Sequence, residues 1–135
     1  MSETIHGACL CGQVTFDVHE PEEAMGFCHC TRCQRWSGGA GTASIDVEGT
    51  NFEVTAGEEL IKHFTQEGRG FTGVGFCSNC GSSLYAFGDG KYYVSAGTLQ
   101  DLKLQPQYHM MVAYKAPWDE ISGDAPQHPE FPPED

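Results

Sequence analysis

Basic residues are scarce in this chain. Seven Lys and Arg stand against 19 Asp and Glu, a formal net charge of −12. Nucleic-acid backbones and anionic membranes are held by cationic surfaces, so neither is expected as a partner. Long apolar runs are missing too, and no stretch approaches the roughly 20 residues of a membrane span. The opening "MSETIHGACLCGQVTF" has no basic segment followed by an apolar one, so no signal peptide is expected. The other end carries no lipidation or retention signal. A cytoplasmic location follows as the expectation. Uninterrupted helical stretches are also lacking, because 17 glycines and seven prolines break the chain repeatedly. Short strands joined by turns are favoured instead. At 135 residues the chain has the size of one domain. With 39% hydrophobic residues its core is modest, and a metal tying distant segments together would help it.

The pattern of residues fills in a mainly β chain. In "GQVTFDV", Val14, Phe16 and Val18 alternate with Thr15 and Asp17, which predicts a half-buried strand. "HEPEEAM" reads as an acidic loop, and "SGGAG" and "QEGRGFTGVG" as glycine loops. Residues 42–65 predict two or three short strands with turns at Gly49–Asn51 and Gly57–Glu58. "FCSNCGSSLYAFGDGKYYVSAGTL" predicts a turn and then a hairpin with Gly88–Gly90 at its tip. "YHMMVAY" is the last expected strand. The proline- and acid-rich end, "KAPWDEISGDAPQHPEFPPED", is expected to run over the surface or fray. No amphipathic helix stands out.

Cysteine is the one reactive residue present in excess, and its spacing is informative. Seven cysteines fall into three groups: Cys9 and Cys11; Cys28, Cys30 and Cys33; Cys77 and Cys80. An odd number in a cytoplasmic setting opposes disulfides. Close cysteine pairs aim two sulfurs at one tetrahedral ion, and a glycine after each pair, as in "CLCG" and "CSNCG", lets the backbone turn. Cys9, Cys11, Cys77 and Cys80 can therefore close around one zinc. The length-dependent cost of that loop is about 3–4 kcal/mol. Structural zinc supplies on the order of 10–16 kcal/mol, so the clip is feasible.

That pairing leaves Cys28, Cys30 and Cys33 in "FCHCTRCQRW" with no fourth cysteine. Catalytic zinc keeps three protein ligands and one exchangeable position. A histidine, His29, His63 or His109, is the alternative fourth ligand and would make the site structural. Three thiolates make zinc a poor activator of water but leave it able to orient an incoming thiol. Arg32 and Arg35 lie in the same stretch and are candidates to bind a substrate carboxylate. They are two of only three arginines in the chain.

The segments "GACLCGQVTF", "CHCTRCQRWSGG", "FCSNCGSSLY" and "YKAPWDEI" together resemble the glutathione-dependent formaldehyde-activating enzyme family, which includes centromere protein V. The resemblance runs roughly from His6 to Pro126. It implies a β-tent, a zinc-tied set of small antiparallel sheets also found in methionine sulfoxide reductase B. It implies a single domain over 1–126 with a Pro/acid-rich tail over 127–135. By motif position, Cys9, Cys11, Cys77 and Cys80 hold a structural zinc. Cys28, Cys30 and Cys33 hold a catalytic zinc, a site expected to be partly occupied. The implied activity joins glutathione to formaldehyde as S-(hydroxymethyl)glutathione, a carbon–sulfur lyase reaction in reverse.

Under this reading the thiol enters the vacancy of the triad, and a nearby donor stabilises the oxygen of the aldehyde. Arg32 or Arg35 retains the anionic tripeptide. His109 and Trp118 fall in the C-terminal part of the resemblance as core or edge residues. Two other functional classes stay open at this point. One is a non-enzymatic zinc-stabilised binding module. The other is a thiol redox protein of the methionine sulfoxide reductase B type, which lacks a lone reactive cysteine once all seven are assigned.

Overall fold

The computed structural model describes residues 3–22, 24–68, 71–100 and 102–132, with 67 and 68 by backbone only. Ten strands appear among them: β1 Thr4–Ala8, β2 Thr15–His19, β3 Met25–Cys28, β4 Thr42–Glu48, β5 Phe52–Ala56, β6 Ile61–Gly68, β7 Phe71–Cys77, β8 Ser83–Gly88, β9 Lys91–Ser95 and β10 Tyr108–Met110. One α-helix, α1, spans Thr31–Ser37. With 44% strand and 15% helix the protein is mainly β, built from small antiparallel and mixed sheets. Among the described residues no helix is long and apolar enough to cross a membrane. Contacts group the chain into two compact units, Met1–Glu23 with Ile45–Lys103, and Ala24–Ser44 with Leu104–Asp135.

The first unit holds an antiparallel sheet in the order β1-β2-β5. Its alternation is the one read from sequence: Phe16 and Val18 are buried while Thr15, Asp17 and His19 face outward. Gly7, paired with Phe16 across the ladder, sits under that ring, and a Cβ there would collide with it. Strands β6 to β9 form an antiparallel meander. Its last hairpin turns on Asp89 and Gly90, both with positive φ (51° and 76°), the pair that a two-residue turn matched to strand twist requires. The core of this unit is Val14, Phe16, Val18, Ile45, Val47, Leu84 and Val94, each 1% exposed or less. Full burial of one such side chain contributes about 1.5–3 kcal/mol.

The stretch "QEGRGFTGVG" is not the loop its glycines suggested. Residues 66–68 end β6 and residues 71–75 open β7, while 69 and 70 lie outside the described residues. Gly75 is paired with Tyr85 of β8, whose ring atoms lie 2.5 Å from where a Cβ would stand. Here glycine makes room for a neighbouring ring rather than breaking the strand.

In the second unit β3 and β10 run parallel, with His109 opposite Phe27 and Met110 opposite Cys28. β10 stops sooner than "YHMMVAY" predicted. Met111 takes a left-handed conformation (φ 58°), and Val112–Tyr114 coil into a 3-10 turn. The C-terminal stretch, expected to run over the surface or fray, is largely exposed and is held by backbone hydrogen bonds. His109 N–H donates to the Pro126 carbonyl and His128 N–H to that of His109, each at 2.8 Å; Met111 N–H donates to Glu130 at 2.9 Å.

Candidate functional site

Two tight turns bring four sulfurs together in the first unit. After β1, Cys9 N–H donates to the Val14 carbonyl, and Gly12 (φ 79°) closes the turn back onto Cys9. After β7, Gly81 (φ 81°) donates to the Cys77 carbonyl at 2.7 Å. These are the glycines singled out in "CLCG" and "CSNCG", and positive φ is why the position demands one. The Sγ atoms of Cys9, Cys11, Cys77 and Cys80 lie within 4.8 Å of one another. Cys9 and Cys11 are 3.5 Å apart, Cys11 and Cys77 4.0 Å. All seven cysteines are free thiols. A tetrahedral ion with sulfur at 2.3 Å needs sulfur–sulfur separations of about 3.8 Å, so this donor set fits such an ion.

Ser82, which the sequence did not single out, links the two turns. Its hydroxyl lies 3.2 Å from Cys80 Sγ and accepts the Leu10 N–H at 2.8 Å. That hydroxyl and the Ser82 backbone hold the Cys80 thiol down to about 5. The Asn79 side chain lowers Cys11 as well. Burial pushes Cys77 up to about 11, so its ionisation needs a compensating cation beside it.

The triad is built differently. Cys28 ends β3, Cys30 caps α1, and Cys33 lies in its first turn. Cys30 Sγ accepts the Cys33 N–H at 3.3 Å, so one side chain both caps the helix and faces its two fellow thiols. The three sulfurs lie within 4.8 Å of one another, and all three residues are half-buried. Cys30 is the thiol on which the hydrogen bonds of the group converge. Hydrogen bonds from Cys28 and then Cys33, with backbone N–H groups of Cys33 and Arg32, hold it down to about 2. Cys28 is pushed up to about 11, chiefly by Cys30, and Cys33 is pushed up by both. Three such sulfurs share one negative charge until a cation allows more, which is the chemistry of a metal-binding donor set.

The backbone around the triad is braced. Gln34 Nε2 donates to the His29 carbonyl at 2.8 Å and to that of Tyr114 at 3.0 Å. Thr42 Oγ1 donates to the Cys33 carbonyl at 3.4 Å. Gly41, in the expected flexible "SGGAG" loop, lies so close to the Cys28 carbonyl that a Cβ would strike it. No spacing rule marks Gln34 or Thr42.

No histidine joins the triad among the described residues. His29 is 1% exposed and His109 8%. His29 Nε2 and His109 Nδ1 share a hydrogen bond at 2.9 Å, with the Phe27 ring 4.5 Å from that of His29. Burial, then the neighbouring His109, lowers the His29 pKa. His63 lies in the first unit, bonded to the Tyr85 hydroxyl at 2.7 Å. Arg32 is half-buried and Arg35 exposed, three apart on α1 and therefore on neighbouring positions of one helix face. Trp118 is 70% exposed, an edge residue and not a core one.

A family model described as "Glutathione-dependent formaldehyde-activating enzyme" matches residues 4–114. A curated protein of Halomonas elongata, named "Putative glutathione-dependent formaldehyde-activating enzyme", is 32% identical over 127 residues, covering 87% of this chain and 80% of its own. A crystal structure of a Rhodobacter sphaeroides protein shares the fold. It has a TM-score of 0.59 at 21% identity, over 73% of this chain and 90% of that one.

Proposed function

Because the chain belongs to the glutathione-dependent formaldehyde-activating enzyme family, we propose that it is a zinc-dependent enzyme of the carbon–sulfur lyase type. It joins glutathione to formaldehyde as S-(hydroxymethyl)glutathione. The observation that carries the reading is the contrast between two sulfur groups: four thiols at two glycine-closed turns, and three half-buried thiols at the start of a short helix. In this reading Cys9, Cys11, Cys77 and Cys80 hold a structural zinc, and Cys28, Cys30 and Cys33 a catalytic one. When bound at the triad, zinc would favour the thiolate over the thiol form of an incoming substrate at neutral pH.

The protein's own residues do the holding and orienting. Cys30 fixes the start of α1, Gln34 and Thr42 fix the carbonyls around it, and the His29–His109 pair fixes the segment between Cys28 and Cys30. Arg32 and Arg35 bind the carboxylates of the tripeptide, where a bidentate guanidinium contact is stronger than a point charge. In the reaction the thiol sulfur forms a bond to the formaldehyde carbon. The carbonyl π pair moves to oxygen, which takes up the proton the thiol gives. No redox partner is needed.

Metal analysis together with exchange NMR tests the reading. The purified chain should carry up to two zincs, and Cys28→Ser should lose one of them along with glutathione binding. The wild type should accelerate exchange between free glutathione and its formaldehyde adduct above the uncatalysed rate. Unchanged metal content and glutathione binding in Cys28→Ser would overturn the enzyme reading. Exchange at the uncatalysed rate would remove the substrate.

A further inference from the structure

A third group of ligand-type side chains lies on the outward face of the β1-β2-β5 sheet, and it contains no sulfur. One ligand atom each from Asp17, His19 and Glu53 lies within 4.8 Å of the other two. We propose that these three residues form a separate site for a borderline divalent transition ion, of the class of Ni²⁺, Cu²⁺ or Zn²⁺. The proposal is independent of the activity assigned above.

The ladder register creates the group. Asp17 is opposite Glu53 on β5 and opposite His6 on β1, while His19 is opposite Thr4. All five side chains share the outward face, because Ile5, Phe16 and Val18 take the inward one. Two carboxylates placed directly across a ladder repel each other and destabilise the pair. A cation between them reverses the sign of that interaction, and in a chain of net charge −12 the long-range field adds to the attraction.

The histidine is held as a metal ligand is held. His19 Nδ1 lies 3.0 Å from Thr4 Oγ1, and its Nε2 lies 2.9 Å from Glu53 Oε1. Nε2–H donates to the Glu53 carboxylate; an entering ion takes the place of that proton, and Nδ1–H then donates to Thr4 Oγ1. A hydrogen bond to the far ring nitrogen is what fixes the tautomer of metal-binding imidazoles. His6 Nδ1 lies 2.5 Å from Asp17 Oδ1 and orients that carboxylate from the β1 side. The donor set selects the ion. One imidazole and two carboxylates suit transition ions, whereas Mg²⁺ and Ca²⁺ prefer oxygen alone. The side chains of His19 and Glu53 are 38% and 62% exposed, so water completes the coordination and the ion exchanges freely.

Ni²⁺ titration of the zinc-loaded full chain, followed by paramagnetic broadening of amide signals, tests the site. The signals of Asp17, His19 and Glu53 and their strand neighbours should broaden first. His19→Ala should raise the Ni²⁺ concentration required by about tenfold or more. Glu53→Gln, a shape-preserving change at an exposed side chain, should shift it in the same direction and guards against misfolding of the first variant. Broadening confined to other residues, or titrations unchanged in both variants, would overturn the proposal.

Discussion

His29 Nε2 and His109 Nδ1 lie 2.9 Å apart in a buried pair, joining residues 80 positions apart in sequence. One sits between two cysteines of the triad and the other on β10, so this bond ties the triad to the strand beside it. His29 Nδ1 has no hydrogen bond among the described residues, although Asp119 Oδ2 is 3.8 Å away. Nε2 therefore carries the hydrogen bonding of the ring. His109→Ala should leave a buried imidazole unpartnered at both nitrogens. The expected cost is about 1–3 kcal/mol, read from the urea midpoint at constant slope. The variant should also lose metal from the triad sooner than the wild type does.

Gly41 offers a test that leaves every thiol in place. A Cβ at this position would run into the Cys28 carbonyl, a backbone atom that cannot swing aside as a side chain would. Gly41→Ala should cost about 1–3 kcal/mol and weaken glutathione binding, because Cys28 must shift. Gly39→Ala is the control, since its Cβ would meet only Ser37 Oγ at an ordinary 3.7 Å. Calorimetric titration with glutathione separates the two. Equal binding in both variants would deny Gly41 its role in placing Cys28.

The features that sequence reasoning reached are those with a local signature. The alternation in β2, the turn at Asp89–Gly90 and the glycines after two cysteine pairs each follow from a few adjacent residues. Features without such a signature were missed. Helix α1 buries none of its seven residues, so it leaves no apolar periodicity to detect, and its cap is a cysteine rather than a usual capping residue. Gly75 looks like a loop residue until Tyr85 is placed across the ladder from it. The C-terminal stretch is held through backbone groups, which every residue carries alike. Counting cysteines separated the triad from the other four, but nothing local announced His109 or Gln34 as its supports.

Alkaline pH should destabilise the first unit through Tyr85. Its ring is 4% exposed, and burial, with Tyr92 and Glu58 nearby, pushes its hydroxyl up to about 12. An unfolded tyrosine ionises near 10. Between these values the folded state keeps a proton that the unfolded state has lost, so stability falls as pH rises from about 10 to 12. The loss is on the order of 2 kcal/mol. In Tyr85→Phe that component should vanish, at a neutral-pH cost of about 1 kcal/mol for the lost bond to His63. Denaturation curves of both proteins across the window give the difference. Parallel slopes would contradict it.

Stepwise chelation should distinguish the two sulfur groups. Cys77 and Cys9 are buried, Cys80 is half-buried and Cys11 exposed, and all four are fixed by turns that Ser82 links. The triad is half-buried throughout and lies at the start of a helix with no buried residue. A chelator should therefore remove metal from the triad first, abolishing glutathione binding with little change in far-UV circular dichroism. Removing the second metal takes away on the order of 10–16 kcal/mol, as much as the whole stability of a typical domain. Secondary structure should collapse at that step and not before. The same logic ranks two variants. Cys77→Ser should fail to fold at 37 °C, while Cys28→Ser should fold and lose only the triad metal and glutathione binding. Loss of structure and of glutathione binding in a single step would mean that the two groups do not divide their roles in this way.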